Sequence, residues 1–114
     1  MGEVADGVMA DRIRVLNDNF RTTFLGGRIL MTPGVAELPL DVKANVLLKV
    51  HGFAEFNADN DPHGEHDFGS FEIGGVTYFF KIEYYSADMQ GGAENPADPE
   101  KTARVLTIMR ADEY

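Results

Sequence analysis

The sequence predicts an α+β domain in which two helices pack on a small antiparallel sheet, in the order α-β-α-β-β-β. Three observations predict it. Two segments repeat apolar residues at three- and four-residue spacing, two β-type runs meet at Gly74-Gly75, and the other β-type runs are short and bounded by breakers.

Taken in order, Ile13, Leu16, Phe20 and Phe24 keep a helical period from Asp11 to Leu25, and Gly26-Gly27 follow where a left-handed cap is wanted. Arg28-Ile29-Leu30-Met31-Thr32 reads as a strand ended by the turn pair Pro33-Gly34. Pro39 suits a first helical turn, and Val42, Val46, Leu47, Val50 and Phe53 then carry a second helix up to the breaker Gly52. His51, near that end, reads as a partner of the helix dipole or a satisfied residue at the core edge. With Gly74 and Gly75 as the two loop residues of a β-hairpin, Phe71 faces Tyr78, Ser70 faces Phe79, Gly69 faces Phe80 and Asp67 faces Ile82. Alternation gathers Phe71, Ile73, Val76, Tyr78, Phe80 and Ile82 on one apolar face, and puts Phe79 and Tyr85 on the other, where they need cover. Residues 87–99, rich in Gly, Asn and Pro, form a surface loop before a last strand, Val105 to Met109. An exposed Val105–Met109 edge would pair with a second copy and give a homodimer. One domain spans residues 1–114, with 1–10 expected to be disordered and 11–114 folded.

Charge sharpens the picture. The chain carries 19 Asp or Glu against 10 Lys or Arg, a formal −9. Residues 1–51 balance, whereas residues 52–100 hold eleven acids against Lys81 alone, a local −10. Nine of the twelve aromatics also lie there, so the stretch folds rather than forming a solvating tail. An acidic surface repels phosphates and argues against nucleic-acid binding by counterion release. Basic protein surfaces or cations are left as partners. Zero cysteines exclude a disulfide scaffold, a thiol nucleophile and an iron–sulfur centre. No apolar run exceeds three residues and the start has no basic-then-apolar leader, so no membrane association is expected and cytoplasmic localisation is.

Residues 57–69 read Asn57-Ala58-Asp59-Asn60-Asp61-Pro62-His63-Gly64-Glu65-His66-Asp67-Phe68-Gly69 and concentrate carboxylates with two of the three histidines. Three uses fit such a density. His63, Glu65, His66 and Asp67, supported by Asp59 or Asp61, could ligate a divalent metal through mixed nitrogen and oxygen donors. Neither a His-Glu-x-x-His helix nor a calcium loop matches, since Ser70 stands where the calcium loop needs its bidentate glutamate. His66 opposite Glu83 on the hairpin could serve general acid–base catalysis, with water as nucleophile. The third use is structural, with Asn, Asp and His side chains satisfying nearby backbone donors. Arg28, at a strand start, reads as an ordinary surface charge.

Asn60-Asp61-Pro62-His63-Gly64-Glu65-His66-Asp67-Phe68-Gly69, with Leu16-Asn17-Asp18 and Phe20-Arg21 before it and Val105-Leu106-Thr107-Ile108-Met109 after it, resembles an uncharacterised bacterial family, domain of unknown function 3768. The resemblance runs from Ile13 to Tyr114. It implies a family found mostly in alphaproteobacteria, often on plasmids and integrative elements near anti-restriction and replication genes, and no assigned activity. The −10 carried by residues 52–100 makes the expected function that of a small acidic, non-enzymatic interaction module with no required cofactor. Such a module would bind a basic protein surface, as a regulatory or anti-defence factor of mobile elements. The alternative is a metal-binding protein or metal-dependent hydrolase built on the Asp61–Asp67 loop.

Overall fold

A computed structural model describes residues 2–114. Helix α1 spans Gly2–Thr23, strand β1 Arg28–Met31, a single helical turn α2 Pro33–Ala36 and helix α3 Leu40–His51. Strands β2 Phe68–Ile73, β3 Val76–Ser86 and β4 Thr102–Arg110 follow, and a 3₁₀ turn covers Ala111–Glu113. Helix α1 begins nine residues before the expected Asp11 start. Of the stretch 1–10 expected to be disordered, Met1 lies outside the described residues. Among the described residues no helix is long and apolar enough to cross a membrane.

The four strands form one sheet in the order β1-β4-β3-β2. The hairpin register is as the two-glycine turn dictates, with Phe71 opposite Tyr78 and Gly69 opposite Phe80. Gly74 and Gly75 both take positive φ, 58° and 80°, which a type I′ turn requires. The sheet is mixed rather than antiparallel, because β1 runs parallel to β4, pairing Ile29 with Leu106 and Met31 with Ile108. That arrangement also moves β4 from the expected edge to the interior, between β1 and β3. The Val105–Met109 run is already paired on both sides, and the open edges are β1 and β2. Pro33-Gly34 opens a helical turn instead of a simple reversal. Glu113 clamps it: the carboxylate accepts from the Thr32 hydroxyl at 2.6 Å, the Gly34 amide at 2.8 Å and the Arg110 amide at 3.0 Å.

Phe20, Val46, Val50, Tyr78, Phe80, Ile82, Leu106 and Ile108 make the core between the helices and one sheet face. Gly69 is required there. A Cβ at that position would overlap the Phe80 and Phe53 rings, so only glycine lets β2 lie against them. The left-handed residue closing α1 is Phe24, at φ 59°, with Gly26 following at 105°, two to three residues ahead of the expected Gly26-Gly27 cap.

Candidate functional site

Helix α1 buries Ile13, Asn17, Phe20 and Arg21, a stripe at i, i+4, i+7 and i+8 in which two of four residues are polar. Asn17 anchors the 57–69 loop and the end of the sheet, and Arg21 the end of α3. The Asn17 side-chain amide donates to the Glu65 carbonyl at 2.9 Å and to the Tyr84 hydroxyl at 2.7 Å, and its oxygen accepts from Arg104 Nε at 2.9 Å. The Tyr84 hydroxyl donates in turn to Glu65 Oε1 at 2.8 Å, and the Arg104 guanidinium lies over the Tyr84 ring. Burial raises the Tyr84 hydroxyl pKa and lowers that of Arg104. Arg21 donates to the carbonyls of Val50, His51 and Phe53, closing the C-terminus of α3 from a second helix.

His66 sits at positive φ, 55°, and so leaves the β2 ladder and turns toward α1. Its Nδ1 lies 2.8 Å from Asp18 Oδ1, its Nε2 lies 3.6 Å from Asp61 Oδ2, and its ring stacks on Phe56 at 3.8 Å. The other Asp61 oxygen accepts from the Glu65 and His66 amides, both at 3.0 Å, with the side chain 6% exposed. Asp61, Glu65 and His66 thus turn their polar groups inward. Asp67 is half-buried, and burial followed by the Glu65 charge pushes its carboxyl above the usual range.

The sequence-predicted residues are therefore divided. Asp61, Glu65 and His66 converge on α1 and the sheet, with Gly64 held through its carbonyl by Arg14 at 3.1 Å. Asp59 and His63 stay exposed, and Asn60 turns back to hold Asn57 and Glu55. Glu83 faces Lys81 at 3.3 Å on the strand side opposite the core, so the expected His66–Glu83 pair does not form. The break in the ladder at His66 is the physical reason. Among the described residues no group of three or more His, Cys, Asp or Glu is placed to hold a metal ion.

A second polar feature lies beside this network, in the 87–101 loop that the sequence marks only as a surface connection. Ser86, Asp88, Glu94, Asp98, Glu100 and Lys101 line a cleft of about 480 Å³, four carboxylates against one ammonium. Its walls are ordered by their own side chains. Asp88 accepts from the Ser86 hydroxyl at 2.6 Å and the Gln90 amide at 3.0 Å, which hold its carboxyl below the usual range. Asn95 and Asp98 each accept an amide two residues on, and Thr102 donates to the Asn95 carbonyl at 3.0 Å. Arg104 reaches the Pro96 carbonyl, so the guanidinium that Asn17 orients also ties down this loop. The four acids at Asp88, Glu94, Asp98 and Glu100, with no base among them, were the available sequence signal. Asn17, Arg21, Tyr84 and Arg104 carry no such signal in composition, although Asn17, Asp18 and Arg21 stand in the segments that accompany the loop motif.

A family model described as Protein of unknown function (DUF3768) matches residues 31–113. The match includes the whole 57–69 loop and the acidic cleft, and begins after α1, whose Asn17, Asp18 and Arg21 complete the network. No curated protein and no solved structure matches the chain.

Proposed function

The chain belongs to the DUF3768 family, and on that premise we propose that it is a protein-interaction module whose acidic cleft takes a basic segment of another protein. The observation that carries this reading is the convergence of Asp88, Glu94, Asp98 and Glu100 on one ordered concavity that Lys101 alone offsets. Lysine and arginine side chains meet complementary potential there, and a pre-ordered loop lowers the entropy cost of binding. Host proteins that handle nucleic acid present such basic surfaces, which fits a regulatory or anti-defence factor of bacterial mobile elements.

Titration with tetralysine amide tests the proposal. Wild-type protein should bind at about 20 mM salt and lose about tenfold or more of its affinity by about 200 mM. The combined variant Glu94→Gln, Asp98→Asn and Glu100→Gln should abolish binding, while Asp59→Asn in the other loop leaves it intact. Binding that ignores salt, or that survives the triple variant, would sink the proposal.

A further inference from the structure

The two-residue turn at Gly74-Gly75 makes Ile73 and Val76 a hydrogen-bonded pair, and the alternation continues through Phe71 with Tyr78 and Gly69 with Phe80. The amide of Ile82 donates to the Asp67 carbonyl at 2.8 Å, in the same phase. The amides and carbonyls of Phe68, Ser70 and Glu72 therefore point away from β3, at the free edge of the sheet. None has a partner among the described residues. Beside this edge runs a groove between β2 and the last turns of α3. One hollow is walled by Leu48, Lys49, Glu55, Phe71 and Glu72, and a second continues it past Asn45 to Ile73. Leu48 is 65% exposed at its centre, an apolar side chain with no cover.

We propose that the β2 edge and the α3 groove together form a second binding surface, which takes an extended segment of a partner as a fifth strand. Main-chain bonds to Phe68, Ser70 and Glu72 supply affinity, and alternate side chains supply selectivity. Side chains of the added strand that lie level with Phe71 enter the groove against Leu48, which calls for apolar residues. Those level with Ser70 and Glu72 fall on the other face of the sheet beside the Glu72 carboxylate, which calls for basic ones. Charge selects the same partner: Glu72 stands on the face that the basic side chains meet, Glu55 and Lys49 offset one another along the groove, and the surrounding segment 52–100 carries −10. The occupant is an extended segment with alternating apolar and basic residues. This surface is separate from the cleft at residues 86–101 and stands independently of it.

Amide hydrogen exchange with the acetylated, amidated peptide Lys-Val-Lys-Val-Lys is the test. At about 1 mM peptide, a weak affinity already in reach of one added strand, exchange at Phe68, Ser70 and Glu72 should slow by about tenfold or more. Ser70→Pro removes an outward amide without touching the β3 ladder and should weaken binding by about tenfold, while Gly69, Phe71 and Ile73 stay protected. Leu48→Ser, with the edge intact, should weaken it as well. The triple cleft variant should bind normally, which separates this surface from the cleft. No added protection at the three edge amides, equal binding by both edge and groove variants, or loss of binding only in the cleft variant would each overturn it.

Discussion

Asn17 joins three parts of the molecule that are distant in sequence: the 57–69 loop through Glu65, strand β3 through Tyr84, and strand β4 through Arg104. Because the side chain is fully buried, removing it strands a guanidinium donor, a hydroxyl and a carbonyl together. Asn17→Ala should therefore cost about 3 kcal/mol in urea denaturation, and Tyr84→Phe, which keeps the ring under Arg104, about 1 to 2 kcal/mol. Both should also speed amide exchange at Ala97 and Asp98, since Arg104 holds that loop through Pro96. Asp67 behaves in the opposite sense. Its carboxyl is raised above the ordinary 3.8, chiefly by burial and then by Glu65, so the ionised form is disfavoured in the folded state. Above the folded pKa the charge is a cost to stability, and the cost fades as pH falls through that value. Asp67→Asn should accordingly raise the melting temperature at pH 7, with the gain shrinking to nothing below about 3.8. A gain that is constant with pH would assign the effect to something other than the charge. None of this network is legible from periodicity, which marks Ile13, Leu16, Phe20 and Phe24 as the buried stripe and gives no reason to bury the polar Asn17 and Arg21 beside them.

At the scale of elements, what was legible is what local chemistry dictates. The hairpin register follows from two glycines at positive φ, and α3 from its period between Pro39 and Gly52. The parallel pairing of β1 with β4 joins Arg28 to Val105, and no local signal in either run encodes that. Its consequence, an interior β4, removes the edge on which a dimer through Val105–Met109 would depend. Composition likewise located the 57–69 loop but could not tell that the positive φ at His66 turns the imidazole toward Asp18 rather than Glu83. The contact between β2 and the core is more exacting than its sequence suggests. Gly69→Ala forces a methyl into the Phe80 and Phe53 rings and should destabilise by about 3 kcal/mol, whereas Gly91→Ala, with nothing within 4 Å, should change stability by less than about 0.5 kcal/mol. Equal effects in thermal melts would mean that β2 can shift away from the core.

Across the whole molecule, the acidic surplus is partitioned. Asp61 and Glu65 turn inward and help hold the fold and Asp67 is half-buried at a cost, while Asp88, Glu94 and Glu100 stay exposed and Asp98 half-exposed around the cleft. The total of −10 in residues 52–100 was legible, but the division between structural and available carboxylates depends on which loop docks against α1. Under the proposed function, the available charge, and with it the interaction, belongs to the 86–101 cleft and not to the histidine-containing loop. Amide chemical-shift mapping during a tetralysine titration at low salt tests it most directly. The predicted result is saturable shifts at Asp88, Glu94, Asp98 and Glu100, with Asp59 and His63 unmoved. Shifts concentrated at Asp59, His63 and Glu65, with the 86–101 amides still, would contradict it.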